Sequence, residues 1–461
     1  MTRELPGLLA ANALVLVAGA GATTLLGATT TRRELAARVG LAYLVGLAVV
    51  GIAAATLALV RIGPGVPLLL VLAAAGAVPA LRALRTPGRG AAPRSRADRA
   101  ATVAGVAFLA ALLARAAPAF AAAPLERHDA WALWALKGRA LHELGGADPA
   151  VFAGDAYAGL NLAYPLLLPA LLATGFDATG GFDPQAPTVQ FLLFGVGLLG
   201  AFGALLHERV PPWLLWPSLG AVAAAPAVSS ELVTGYADVP LAAFVAAGAL
   251  AAARWLRWEE PWALRVAALL LAAALLTKHE APLFAGGILV GLVVARLLER
   301  RPLRPIAPAA LAAVLPLLLW RVYVSAHDLT TGHDTGDGAL LGVVPIALAR
   351  LAGELVTPAR WGLLVPLAAA AVVLAGIAGA RGLGLFALSA TTLPLAGLTA
   401  NYATSGLPHD LYLSATVSRV VASIVLVGAL LTPLLAAEAV RPRPSPAPSS
   451  ARAARRGGSG R

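Results

Sequence analysis

The 461-residue chain has no cysteine, a single methionine, only two lysines, and charged side chains at just 13% of its positions. Without thiols there is no disulfide framework, thiolate metal centre or cysteine nucleophile, so any metal falls to His or carboxylate ligands. Every basic residue other than Lys137 and Lys278 is arginine. Arginine is therefore uninformative by type here, and the two lysines are informative by rarity. Also missing are a Walker loop, a Gly-rich dinucleotide fingerprint and a Gly-x-Ser-x-Gly elbow, which argues against a nucleotide-linked donor. No 20-to-50-residue repeat is visible, which counts against solenoids and mildly against repeat-built transporters.

What is present is apolar. Hydrophobic residues make up 59% of the chain and mean hydropathy is +0.80, far above the roughly 45–50% apolar content of soluble domains. A hydrocarbon core needs about 20 apolar residues per helical span. About thirteen uncharged runs approach that length: 7–28, 39–60, 62–81, 100–120, 187–206, 213–228, 239–253, 306–320, 361–380, 383–400 and 416–437, with two short runs at 264–276 and 281–295 that leave a re-entrant hairpin open. The expectation is an all-α, polytopic membrane protein. The first run is read as a retained helix, because another follows within about ten residues.

Charge bias gives the orientation. If the connections at 29–38, 82–99, 207–212, 254–265, 296–305, 381–382 and 438–461 face the cytoplasm, they hold 24 of the 35 basic residues but only 7 of the 23 acids. That predicts an outside N-terminus and an inside C-terminus. Residues 1–99 read as an N-terminal three-helix module, 100–437 as the main membrane module, and 438–461 as a disordered basic tail able to lie on anionic headgroups.

The candidate chemistry gathers on the outer side, with both lysines and six of the seven histidines. The long connection 124–186 opens on a stretch carrying Glu126, His128, Asp129, Trp131, Trp134 and Lys137, read as an interfacial helix. Its tryptophans, three apart, would sit in the headgroup layer, and Asp129 serves equally as an N-cap. Tyr164, Pro165 and Pro169 open a second helix expected to lean on the bilayer. Glu231, Tyr236 and Asp238 lie at a hairpin mouth, where helix capping is the simpler role for the aspartate. Thr277, Lys278, His279 and Glu280 form a charged tetrad between the two short runs. A Lys278–Glu280 pair is its bland reading, and an ammonium beside a histidine is also what a phosphate needs. His327, Asp328, His333, Asp334 and Asp337 read as a solvated loop rather than a metal site. His409, Asp410 and Tyr412 precede a helix carrying Arg419, whose guanidinium either snorkels or grips a lipid phosphate.

This ordered set resembles the membrane-embedded GT-C glycosyltransferases, particularly bacterial relatives of the dolichyl-phosphate-mannose protein mannosyltransferases (glycosyltransferase family 39-like). The similarity rests on His128-Asp129-Ala130-Trp131 with Trp134 and Lys137, on Tyr164-Pro165, on Gly235-Tyr236-Ala237-Asp238, on Thr277-Lys278-His279-Glu280, and on Asp410 with Arg419. It covers the fourth span to the last. The resemblance implies transfer of a sugar from a polyprenyl-phosphate donor to a lipid-linked or cell-envelope acceptor, at the outer face of the bacterial cytoplasmic (inner) membrane. Asp129 would be the general base and Lys278, with His279 and Arg419, would bind the leaving phosphate. Glu126, His128, Trp131, Lys137, Tyr164, Tyr236, Asp238, Glu280, His409 and Asp410 would line the substrate site. The chain departs from the family's metal-using members in having no Asp-x-Asp in the first loop, which leaves a divalent cation open, and it lacks the family's large soluble C-terminal domain.

Two other classes compete. A transporter or flippase of lipid-linked glycans would also use a polar vestibule, but should place its ionisable groups near the bilayer midplane. An O-antigen ligase or polymerase would share the donor chemistry with a different motif order. A pure scaffold has no need for clustered acids, histidines and lysines.

Overall fold

The computed structural model describes residues 5–88, 95–122, 125–152, 161–329 and 342–440. His333, Asp334, Asp337 and the basic tail from Arg441 lie outside the described residues. No β-strand occurs among those described.

The chain opens with α1 (Leu5–Leu25), α2 (Arg32–Ala37), α3 (Val39–Ala58), α4 (Val66–Arg85) and α5 (Arg96–Ala122). A π-helical segment, Asp129–Ala135, runs into α6 (Leu136–Glu143), one-turn α7 (Pro149–Phe152) and α8 (Leu167–Thr179). Next come α9 (Ala186–Leu206), α10 (Pro212–Ala224), α11 (Pro226–Thr234), α12 (Asp238–Trp258), α13 (Pro261–Leu275), α14 (Ala281–Leu298) and α15 (Ile306–Ala326). The chain finishes with α16 (Val343–Leu355), one-turn α17 (Pro358–Trp361), α18 (Leu364–Ile377), α19 (Arg381–Thr404), α20 (His409–Val420) and α21 (Ala422–Val440). Local rules explain many of these starts. Proline stands in the opening turn of α4, α9, α10, α11, α13, α14 and α17, where its missing N–H costs nothing. Thr31 and Glu34 form a capping box on α2.

Among the described residues ten helices are long and apolar enough to cross a membrane: α1, α3, α4, α5, α9, α12, α14, α15, α19 and the α20–α21 pair. This is compatible with a multi-pass membrane protein. The two short runs became α13, with 15 residues, and α14, with 18. The run at 213–228 breaks at Ala225, before Pro226, into α10 and α11, because the residue preceding a proline is driven out of the helical region.

Helix α12 is the axis of the bundle. Its alanine-rich sequence is buried on every side, against α9, α13, α14 and α21, as small side chains allow when backbones must approach closely. The same device joins α1 to α4, where a Cβ on Gly21 would lie 2.2 Å from Gly76. Helix α3 packs on α1 and also on α8, α9 and α13. In contrast α5 buries only Phe120 and leans on α10 from the outside.

Helix α8 departs from its expected place. It is buried from Leu167 to Thr174, against α3, α6 and α1, so it is a core element rather than a helix lying on lipid. Its leucine and alanine residues point inward on all sides, and its first N–H, that of Leu167, donates to Leu276 O at 2.9 Å.

Charged connections meet at one end. Arg254 donates to Glu260 at 2.5 Å, to Glu208 at 3.0 Å and to Leu205 O at 2.5 Å. Arg38 reaches Glu208 at 2.8 Å, Arg296 reaches Glu259 at 2.5 Å, and Arg257 reaches Glu438 at 2.7 Å. The connections at 29–38, 207–212, 254–265 and 296–305 and the close of α21 thus converge, as their shared basic bias implied. Asp129, Asp238 and Glu280 gather at the opposite end of α12 from Arg254.

Candidate functional site

The site is assembled by three reversals of the chain. Gly235, at φ +73°, ends α11 in the left-handed region that glycine adopts freely. A Cβ there would meet Leu125 at 2.5 Å, so the turn also seats the segment leading to Asp129. Tyr236 follows, and Asp238 opens α12. The α13–α14 tip carries Lys278, and α20 brings Arg419 across from a remote part of the chain.

Five charges then interlock. Arg419 Nη1 donates to Asp129 Oδ2 at 2.6 Å, with its guanidinium 4.3 Å above the Tyr236 ring centre. Lys278 Nζ donates to Asp238 Oδ1 at 2.8 Å and lies 3.1 Å from Glu280 Oε1. The pairs feel each other, since Lys278 acts on Asp129 and Asp238 on Arg419 through charge. Burial pushes the Asp129 carboxyl up, but the hydrogen bond and charge of Arg419 outweigh it and hold the group below its ordinary value. Burial likewise pulls Lys278 down, and Asp238 and Glu280 more than reverse this, so it stays a cation.

Neither aspartate is a helix cap. The N-cap positions are His128 and Ala237, with no side-chain cap bond at either, and both carboxylates are bound to cations instead. The Lys278–Glu280 pair exists, but Asp238 shares it.

The neighbouring residues divide into two layers. Tyr164 packs edge-on against Trp134 at 5.5 Å and His279 at 4.4 Å. His279 Nε2 bonds to Ala163 O at 2.7 Å, an oxygen that also accepts from Trp320. In this arrangement His279 ties the α13–α14 tip to the 161–166 loop, and burial holds its pKa below the ordinary histidine value. Lys137 lies one layer further in. It is completely buried, donates to Asn161 O at 3.0 Å, and lies 5.5 Å from the Trp134 ring and 5.6 Å from the Tyr164 ring. Burial with no carboxylate beside it pulls its pKa down to about 7.

The tryptophans part company because the segment is π-helical. Leu136 N–H bonds back to Trp131 O, five residues away, and at this wider winding residues three apart no longer share a face. Trp131 is exposed against Phe182, while Trp134 is in the core. Only the first suits a headgroup layer.

On the rim, Glu126, His128 and Asp410 are exposed, and His128 Nδ1 lies 3.4 Å from Asp129 Oδ1. His409 Nε2 is buried without a hydrogen-bond partner. His327 is spent locally, bonded to Tyr323 O at 2.9 Å and stacked on that ring. Among the described residues no three His, Asp or Glu side chains come together as a metal centre requires.

Sequence reasoning missed two contributors. Arg360, on α17, reaches Glu231 and Ser418 O at 3.2 and 2.9 Å and pairs with Glu354, so it braces α11 against α20. Its signal was to be one of few basic residues on the acidic side. Tyr402 bonds Thr416 at 2.6 Å and packs 4.8 Å from Tyr412, and nothing in the sequence marked it.

Chemically the arrangement offers an ionised carboxylate with 27% of its side chain exposed, backed by a guanidinium whose Nε is buried and unpartnered. Compared with known proteins, the chain matches no family model, no curated protein and no solved structure.

Proposed function

We propose that the protein is a membrane-embedded glycosyltransferase of GT-C type, moving a sugar from a polyprenyl-phosphate donor to an acceptor hydroxyl at the outer face of the bacterial cytoplasmic membrane. The observation that carries this reading is the meeting of Asp129, Tyr236, Asp238, Lys278 and Arg419 from four separated stretches at one end of the bundle. In this reading the chain crosses about thirteen times, with α13, α18 and the broken α10–α11 pair as short crossings, and its N-terminus faces out.

Asp129 takes the proton of the acceptor O–H as that oxygen attacks the anomeric carbon. The carbon–oxygen bond to phosphate breaks on the opposite side, with inversion, and the phosphate leaves with the electron pair. Arg419 meets that phosphate through its unused Nε–H. As it turns toward the donor it loosens its hold on Asp129, whose basicity rises when a base is needed. Lys278, already shared by two carboxylates, fixes Asp238 rather than receiving the phosphate first. The cluster holds more carboxylate than cation and would repel a free dianion, so the donor is held chiefly by its lipid chain in the bilayer.

The test is transfer by the purified full chain from radiolabelled polyprenyl-phosphate sugars. Asp129→Asn should lower transfer by about 10²–10⁴-fold, the range of general-base catalysis, while the protein remains folded. Full transfer by that variant on every competent donor rejects the assignment. Movement of intact lipid across liposomes with its sugar linkage unchanged would place the protein among transporters instead.

A further inference from the structure

A cavity of about 620 Å³ opens between α5, α10 and α11 beside the Asp129 cluster, lined by Arg115, Arg127, Glu126, Ser229, Ser230 and Thr234 among apolar residues. Arg115 lies seven residues before the end of α5, roughly 10 Å down the helix at 1.5 Å per residue, in a candidate span that faces outward along nearly its whole length. Arg115 and Arg127 are both exposed, and among the described residues neither has a hydrogen bond or ion pair. A guanidinium on a lipid-facing helix is costly unless it snorkels to water or meets an anion. Here two converge on one cavity, opposed only by Glu126. The hydroxyls of Ser229, Ser230 and Thr234 donate to backbone oxygens, so the arginines supply the free donors.

Below the cavity an apolar groove continues between α5 and α9, sharing Leu112, Ala116, Phe120, Ala223 and Ser229 with it and adding Leu192, Leu199 and Val228. A charged chamber leading into a dry groove has the shape of an amphiphile.

We infer that this cleft binds a phosphate-bearing membrane lipid, its headgroup held by Arg115 and Arg127 and an acyl or prenyl chain lying along α5. The inference rests on the membrane-spanning reading of the chain but not on sugar transfer, because these arginines are outside the Asp129–Lys278 cluster. Such a site sets α5 against the bundle through lipid and lies where a lipid-borne substrate would reach Asp129.

The test is native mass spectrometry of the detergent-solubilised full chain titrated with dioleoyl phosphatidylglycerol, dioleoyl phosphatidylcholine and inorganic phosphate. Wild type should retain one phosphatidylglycerol in preference to phosphatidylcholine. Arg115→Gln with Arg127→Gln should reduce that retention about tenfold or more, as loss of charge-assisted bonds implies. Ala116→Trp, which fills the groove and leaves both arginines in place, should also reduce it and keeps the test independent of how the double variant folds. Equal retention of the two lipids, unchanged retention in all variants, or full displacement by equimolar inorganic phosphate would overturn the inference, the last by assigning a free-anion site. Sugar-transfer activity has no part in this readout, so its failure and that of the proposed function are separable.

Discussion

The two ends of the bundle use ion pairs differently. At the Arg254 end the acids are glutamates and the rings are indoles: Arg38 and Arg254 lie over Trp262, Arg209 over Trp258 and Arg296 over Trp255, each within 5 Å. Guanidinium exceeds carboxylate there, as in Arg38, Arg254 and Arg209 against Glu208 and Glu260. Burial pushes the Glu208 carboxyl up, but the charges of Arg38 and Arg254 bring it down to about 2. At the Asp129 end, Asp129, Asp238, Glu280, Glu231 and Glu354 exceed Lys278, Arg419 and Arg360, and Tyr236, Tyr164, Tyr402, Tyr412 and His279 join the tryptophans. Carboxylates each held by guanidinium and stacked on indoles make a clamp. An excess of carboxylate beside phenols and imidazoles is what the proposed proton transfer would need.

This contrast can be broken at either end. The largest effect is expected at the clamp. Arg254→Met leaves Glu208 and Glu260 without their shared cation and should cost about 3–5 kcal/mol, as for removing one partner of a buried pair, read as a lower thermal transition in detergent. An unchanged transition would make the lattice ornamental.

Next is Arg419→Gln, which at the other end should impair transfer while changing stability less. It should also move the acid limb of kcat/KM. In the proposed mechanism Asp129 acts when ionised, and Arg419 keeps its carboxyl low. Activity therefore falls only as pH drops through that depressed value, and without the guanidinium burial raises it, so the limb shifts to higher pH. A limb that stays put separates Asp129 from the reaction.

A third effect concerns Lys137. Its pKa is about 7 in the fold and 10.5 as a free side chain, so between these values the unfolded chain binds more protons and stability rises with pH. Below about 7 both forms are protonated and the penalty is constant. Lys137→Met should remove the slope between pH 7 and 10 in melting measurements.

The sequence made part of the site readable because lipid taxes charge. Asp129, Asp238, Lys278 and Arg419 stood out as ionisable groups at the ends of apolar runs, and these four, with Glu280, are the ones that interlock. Lys137 and His279 stood out by the same signal and bond to backbone oxygens, contacts that rarity does not reveal. Arg360 was hidden by the abundance of arginine, and Tyr402 by the absence of any charge. The burial of α8 was not readable either: a thirteen-residue, largely apolar segment containing a proline suits a surface helix and a core helix equally.

Composition and charge order alone determined that the chain is helical, that its apolar runs are long enough to cross a membrane, and which connections share an end, because hydrocarbon admits backbone only as helix and basic loops segregate. Tertiary structure decided the rest. The π-helical winding turned Trp134 inward, Gly235 aimed Asp238 at Lys278, and α20 carried Arg419 to Asp129 across 290 residues of chain. Pairings between groups so distant in sequence depend on how the helices stack, which no local pattern encodes.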